Sequence, residues 1–469
     1  MRMILSPPSP ARARRFSGDL LATLLLIAVS AVFTAALDVP RVRSDGFAYY
    51  IWLEALVRDH TVDLAAAAHH YASFVTYQVN VDPRTSRVAT PFAFGSAVFW
   101  SPFYALSRLL DPIRGLGFHA RDAAYLTTQG DTFLHSVAVA FGTWVYVTIA
   151  LVLSFRLARR LVGVTSALFV VLATFFGTPL YYYTTIEPTM SHGTATFAVT
   201  LVVWLLAGTE VLPLGQSRVP PVDAKGTGAR GLRYWFAVGL AVGLAGLVRW
   251  QLILLAVPIE LALLARGRVR SVAACALGSA VLFSAVPLIW WYQYGSPNPA
   301  AVGTTHGLLL SAFANVLISP VSGMFAWAPL TILGIVGVIG LGITGSRRVA
   351  VMLLTFLLLE VLASALAGNG TDGASFGQRR MTEAYPIFVI GLAWLLQRGG
   401  LSSTTGRLIY LAIPACTGFT GVLFLTYIRA LVDPATGTVI EAILLWLPPH
   451  TSASFAAIRT IHVFGFGSY

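Results

Sequence analysis

A chain of 469 residues would ordinarily make two or three soluble domains, but 57% hydrophobic against 11% charged residues, with a mean hydropathy of +0.76, exceeds what a water-exposed surface tolerates. The composition is that of a polytopic membrane protein. The formal net charge is +12, and the two cysteines, Cys275 and Cys416, both lie in apolar runs, which excludes a disulfide framework and a CxxC metal site.

A spanning helix needs about 20 mostly apolar residues, and basic residues collect in cytoplasmic loops. The first apolar run, 20–37, follows Arg12, Arg14 and Arg15. It is longer than a signal-peptide core and no cleavage site follows, so we expect a retained anchor with its N-terminus in the cytoplasm. The next run, 92–110, would pass as a span by hydropathy. Crossing there would invert every later loop and turn Arg156, Arg159, Arg160 and Arg266, Arg268, Arg270 outward. It is therefore expected to lie on or dip into the outer leaflet, broken by Pro91 and Pro102. Further spans are expected near 132–154, 161–180, 191–212, 234–248, 250–265, 271–294, 323–343, 349–367, 383–397 and 408–430, about 11 transmembrane helices in all.

On this topology 18 basic residues fall on the cytoplasmic side and, apart from the long first external loop 38–131, five on the external side. That loop carries eight arginines, but long loops translocate regardless of charge. The positive surplus thus belongs to a cytoplasmic surface facing anionic headgroups, and nucleic acid is not implied as a partner. The stretch 213–233, rich in proline and glycine, is expected to be a cytoplasmic linker, and 431–469 a short external tail after a module covering 1–430.

Polar groups at membrane depth are costly unless used or satisfied. In chain order, Asp45 opens a segment whose Tyr49, Tyr50 and Trp52 suit the headgroup level; Asp45 could act as a general base or merely cap the following helix. Asp63 with His69 and His70 forms a weak ligand set, since adjacent histidines point in different directions, and solvated loop residues are the simpler description. Between two spans, Tyr181, Tyr182 and Tyr183 lead to Glu187 and His192, a candidate sugar-binding wall or an aromatic belt with Ser191 as a cap. Arg249, followed by Gln251, sits between two closely spaced spans, where a guanidinium needs an anion: a phosphate, a structural carboxylate or a headgroup. Last comes Asn369–Arg380, a glycine-rich turn containing Asp372 and ending in Arg379 and Arg380. Glu260 and Glu360 lie within spans and are taken as partnered structural acids.

These elements, in this order, resemble the GT-C class of membrane glycosyltransferases, which use polyprenyl-phosphate sugars. The resemblance runs from the first span to about residue 400, and rests on Asp45 just after the first span, the interfacial segment Thr90–Tyr104, the acid-to-Ser-His element Glu187–His192 and Ser375-Phe376-Gly377-Gln378-Arg379. It implies interfacial helices in the first loop, a polyprenyl-phosphate sugar donor, a cell-envelope glycan, lipid or protein as acceptor, and inverting transfer on the external face of the plasma membrane. Asp45 would be the general base, Arg249, Arg379 and Arg380 would bind the donor phosphate, and Glu187, His192, Asp63, Tyr49 and Asp372 would support. Asp45 is followed by Gly46 rather than a second acid, so the metal is unknown and a divalent cation is left open, with Asp63 or Glu187 as the source of a second carboxylate. The competing class is a transporter or lipid flippase, against which stand the lack of an internal repeat and the external placement of the candidates.

Overall fold

The computed structural model describes residues 10–37, 40–73, 79–111, 131–215, 230–297, 310–367, 375–400 and 403–428, with side chains from residue 18 onward. Among these the fold is all-α, apart from an antiparallel pairing of β1, Asn80–Val81, with β2, Val88–Ala89. In chain order, α1 covers Pro10–Leu37, α2 Gly46–Leu53, α3 Ala65–His70, α4 Gly95–Leu109 and α5 Phe133–Ala158. Then come α6 Val164–Phe176, α7 Leu180–Thr185, α8 His192–Leu206 and α9 Leu232–Val248. A 3-10 turn, Trp250–Leu255, runs into α10, Ala256–Leu264, followed by α11 Val269–Phe283 and α12 Ala285–Tyr294. The remainder comprises α13 Leu310–Ile318, α14 Met324–Trp327, α15 Leu330–Thr344 and α16 Arg347–Leu366, a second 3-10 turn Arg379–Ala384, α17 Tyr385–Gly399 and α18 Thr404–Ile428.

Every stretch expected to span is helical over most of its length. Five helical stretches, Gly18–Leu37, Phe133–Ala158, Val269–Tyr294, Arg347–Leu366 and Thr404–Ile428, are long and apolar enough to cross a membrane, and α6, α8, α9, α15 and Trp250–Leu264 are shorter apolar helices. Their starts have local causes. Thr132 Oγ1 accepts from the His135 backbone N–H at the head of α5, and Ser346 Oγ from that of Val349 at the head of α16. Most of the expected linker, residues 216–229, and the whole of the 431–469 tail lie outside the described residues.

Lipid tails are as apolar as leucine, so helices in a bilayer gain little from hiding leucine and more from close backbone approach. Small residues supply it here. A Cβ added to Gly239 of α9 would stand 2.0 Å from the Cys275 carbonyl of α11, and one on Gly391 of α17 would stand 1.8 Å from the Gly334 carbonyl of α15. These two helix pairs therefore touch backbone to backbone.

The first loop folds onto the protruding end of α5. Thr143, well inside α5, donates its hydroxyl to the Pro188 carbonyl, just ahead of α8. The preceding turns of α5 rise above that level, and α4 packs along them: Trp100 Nε1 donates to Thr143 Oγ1 at 2.8 Å, and Tyr104 lies 5.1 Å from the His135 ring. The other end of α4 reaches α8, where Ser96 and Thr194 share a hydrogen bond of 3.0 Å. Pro102 does not break this segment as expected; Gly95–Leu109 is one helix with Pro102 inside it. Among the described residues near Pro102, Ser101 Oγ donates to the Ala97 carbonyl at 2.7 Å.

A buried polar cluster joins these pieces. His135 lies between two acids, Nδ1 at 2.7 Å from Asp131 and Nε2 at 3.0 Å from Asp111. Tyr50 of α2 donates to Asp131, and Tyr104 of α4 donates to Glu54, which is also paired to Arg58 at 2.5 Å. Burial works to raise the Asp131 carboxyl, but hydrogen bonds from His135, Tyr50 and the Thr132 backbone hold it below its ordinary value.

Candidate active site

The path from α1 to α2 turns sharply at Ser44, whose φ of +48° lies in the left-handed region. The turn lays Gly46 against the loop ahead of α8, so closely that a Cβ there would stand 2.5 Å from Thr189 Oγ1. Only glycine permits that approach, which accounts for the residue following Asp45. Asp45 occupies the N-cap position of α2 but makes no side-chain capping bond. Its Oδ2 instead pairs with Arg379 Nη1 at 2.9 Å. The capping role is thus not the one Asp45 plays.

A second group forms around Arg249, the residue that separates α9 from the following 3-10 turn and whose extended backbone, φ −142° and ψ 115°, turns the chain out of the helix. Its Nε lies 3.1 Å from Glu383 Oε1, and the same oxygen lies 3.1 Å from His192 Nδ1. With Nδ1–H donated to Glu383, the neutral imidazole presents Nε2 as an acceptor to Arg249 Nη1 at 3.3 Å. Arg249 Nη1 also reaches Ser191 Oγ at 3.4 Å, and Ser191 donates to the Tyr49 hydroxyl at 2.9 Å. With its amide oxygen turned towards Arg249, Gln251 accepts from Nη2 at 2.7 Å and from Nε at 3.0 Å. Ser191 makes no capping bond for α8. The guanidinium is held flat by a carboxylate, an amide, an imidazole and a hydroxyl, so its orientation is fixed in advance of any ligand.

Both groups border one cavity of about 180 Å³, lined by Asp45, Tyr49, His192, Arg249, Gln251, Arg379 and Arg380, with Phe92 and Trp250 as aromatic walls and Ala363 and Ala367 of α16 opposite. Arg380 Nη1 donates to the Ala367 carbonyl at 3.3 Å. Three guanidinium groups and one first-loop carboxylate thus face a common space.

Glu187 stands beside this cavity rather than in its lining. Burial pushes its carboxyl up to about 7, opposed by Arg379 and Arg43 and reinforced by Asp45, and its Oε2 is shielded from solvent with no hydrogen-bond partner among the described residues. Asp63 is not brought to the site: it accepts from the Ala65 backbone N–H at 2.9 Å, stabilising the start of α3, and from the Tyr292 hydroxyl at 3.4 Å. Asp372 lies outside the described residues. The three tyrosines do not form a sugar-facing wall. Tyr181, Tyr182 and Tyr183 are all buried in the core; Tyr182 stacks on Phe376 and Tyr183 packs on His192, because α7 turns this face towards α18 and the 375–378 segment instead of the cavity.

Sequence reasoning missed Glu383, which ties Arg249 to His192. It stands four residues beyond Arg379 at the mouth of an apolar helix, where an acid has to find a cation; that spacing was the available signal. Glu360 also differs from expectation. It is 1% exposed and neither of its carboxylate oxygens has a hydrogen-bond partner among the described residues, since the nearby Arg249 is already engaged by Glu383.

Among the described residues no group of three His, Cys, Asp or Glu side chains is arranged to hold a metal ion. Asp45 and Glu187, the carboxylates that could hold a cation at the candidate site, are accompanied by Arg43 and Arg379. Such a donor set fits a divalent cation poorly, because the arginines already supply the positive charge.

No family model matches the chain, and no curated protein matches it. It is similar to solved structures of the Archaeoglobus fulgidus oligosaccharyltransferase. One, tethered through a disulfide bond with an acceptor peptide containing the NVT sequon, is 12% identical with a TM-score of 0.46, covering 86% of this chain and 54% of that one. The apo form is 11% identical with a TM-score of 0.45, covering 90% of this chain and 55% of that one. The chain therefore spans about half the length of these structures.

Proposed function

We propose that this protein is a multi-pass membrane glycosyltransferase of the GT-C class, which transfers a sugar from a polyprenyl-phosphate donor to an acceptor hydroxyl on the external face of the plasma membrane. The observation that carries the proposal is the cavity in which Asp45, from the first loop, is ion-paired with Arg379, from far along the chain, beside the prefixed Arg249. A volume of about 180 Å³ is below the roughly 300 Å³ lower range of small-molecule sites and suits the phosphate and the reacting end of a sugar, with the lipid tail outside it.

In this reading the donor phosphate competes with Asp45 for Arg379. As Arg379 turns to the phosphate, Asp45 is released to accept the proton of the acceptor hydroxyl. The hydroxyl oxygen bonds to the anomeric carbon as the bond to the phosphate oxygen breaks, with inversion, and Arg249, Arg379 and Arg380 stabilise the charge that collects on the leaving phosphate. Tyr49 and His192 position the ligand. No step is routed through a metal.

Asp45→Asn should lower sugar transfer by about 100-fold or more, given the contribution of a positioned base, while donor binding persists. Arg379→Ala should weaken donor binding and transfer together. Undiminished transfer by Asp45→Asn, measured with purified protein in lipid discs, would overturn the assignment of the base.

Glu360 favours the transporter as a second reading, since a buried carboxylate with no hydrogen-bond partner among the described residues, within a helix of spanning length, is what proton coupling needs. Loss of substrate movement across vesicles in Glu360→Gln, with no transferase activity detectable in the unaltered protein, would replace the glycosyltransferase reading.

A further inference from the structure

A second cavity, of about 480 Å³, opens at the other end of the α10–α16 pair. It takes no part in the reaction proposed above. Ala363 of α16 lines the first cavity and Arg348 the second, and the rise of about 1.5 Å per residue puts these two positions roughly 22 Å apart. The walls are apolar, formed by Leu261, Val351 and Met352, and Arg266, Arg347 and Arg348 stand at the rim.

The charges at this rim are poorly accommodated by the protein itself. Arg347 and Arg348 occupy the first turn of α16, which contains no acid, at the end of the helix where the backbone dipole disfavours cations. Arg266 Nη1 donates to the Ala262 carbonyl at 2.5 Å, but its Nη2 is shielded from solvent and has no hydrogen-bond partner among the described residues. Arg348 is close enough to repel it. The neighbouring acid, Glu210, attracts Arg266 in part but is paired with Arg268 at 3.4 Å. A topological preference for basic residues on the cytoplasmic side accounts for which end of the bundle they occupy, but not for their gathering around a groove, nor for a shielded N–H without an acceptor.

We propose that this groove binds one anionic glycerophospholipid, its phosphate bridging Arg266 and Arg348 and one acyl chain lying along Leu261, Val351 and Met352. Charge complementarity selects the headgroup. Phosphate oxygens would accept from Nη2 of Arg266 and from Arg348, relieve their mutual repulsion, and meet the positive end of α16. The apolar walls select a lipid over a soluble phosphate.

The test uses the full-length protein reconstituted in discs of phosphatidylglycerol and phosphatidylcholine at equal proportion, released into mild detergent and examined by native mass spectrometry. One phosphatidylglycerol should be retained per chain, in preference to phosphatidylcholine. Retention should fall about tenfold in the double variant Arg266→Ala/Arg348→Ala. It should fall equally in Leu261→Trp, which fills the groove, leaves the arginines in place and alters a side chain that is 56% exposed, so folding is preserved. Retention unchanged in both variants would overturn the proposal. So would loss in the arginine variant alone, because that pattern marks surface attraction without a groove. Transfer activity is not the readout, so the outcome is independent of the function proposed above.

Discussion

Glu187 shows how environment sets the behaviour of a single side chain. Its carboxyl, raised by burial from 4.5 to about 7, retains its proton in the folded protein over a range where the unfolded chain has lost it. The folded state binds more protons between those two values, so stability should decrease as pH rises from about 4.5 to about 7 and level off beyond. The span of the effect is on the order of 1–3 kcal/mol, discounted for partial exposure. Glu187→Gln should flatten this dependence in thermal melts recorded from pH 4.5 to 8; an unchanged slope would assign it to other groups. Asp45, Tyr49, His192, Arg249, Arg379 and Arg380 were legible in the sequence, because a charged or polar group beside an apolar helix has few reasons to be there. Glu383 and Asp63 were not, for different reasons. Glu383 reads as one more charge at a helix end until the fold brings Arg249 to it, whereas Asp63, a solvated loop residue on its own pattern and a second carboxylate only through the resemblance, has a local use in its bond to the backbone of Ala65.

At the scale of elements, α2, α4 and α5 meet around a polar cluster that includes His135. His135 stands between the carboxylates of Asp131 and Asp111, so its removal takes one partner from each and leaves Asp131 with Tyr50 and the Thr132 N–H, and Asp111 with Arg108. Leaving a buried acceptor short of one hydrogen bond costs about 1–3 kcal/mol. His135→Ala should therefore loosen the first loop from α5, seen as a lowered melting temperature and faster trypsin cleavage within residues 40–111, while the α9–α11 and α15–α17 contacts persist. Melting and cleavage at unaltered rates would assign the stability of the loop to its aromatic packing instead. Helix positions were legible because a spanning helix requires a long apolar run. The direction in which each helix faces was less so: Tyr181–Tyr183 match an aromatic belt in sequence but pack inward, and Pro102 lies within α4 without ending it. Hydropathy records how apolar a segment is, and not which neighbour its side chains meet.

For the molecule as a whole, positive charge gathers at two places roughly a helix-length apart, one around Asp45 and one at the foot of α16. The proposed topology puts the first outside and the second inside. A reporter fused at residue 120 should accordingly read external, and a cytoplasmic reading would make 92–110 a span. Because arginine supplies the positive charge at the first site, transfer should continue after treatment with a chelator, within about a factor of two of the untreated rate. A chelator-dependent loss restored by a divalent cation would bring a metal into the mechanism.

The pairing of Asp45 with Arg379 also has a meaning in time. The two residues are synthesised far apart in time, with most of the chain between them, and the turn that carries Asp45 rests through Gly46 on the loop ahead of α8, which is itself made between them. The proposed site is consequently incomplete until most of the chain has been made. A chain interrupted before Arg379 would carry Asp45, α1 and most of its helices, yet lack the ion pair on which the proposed transfer depends.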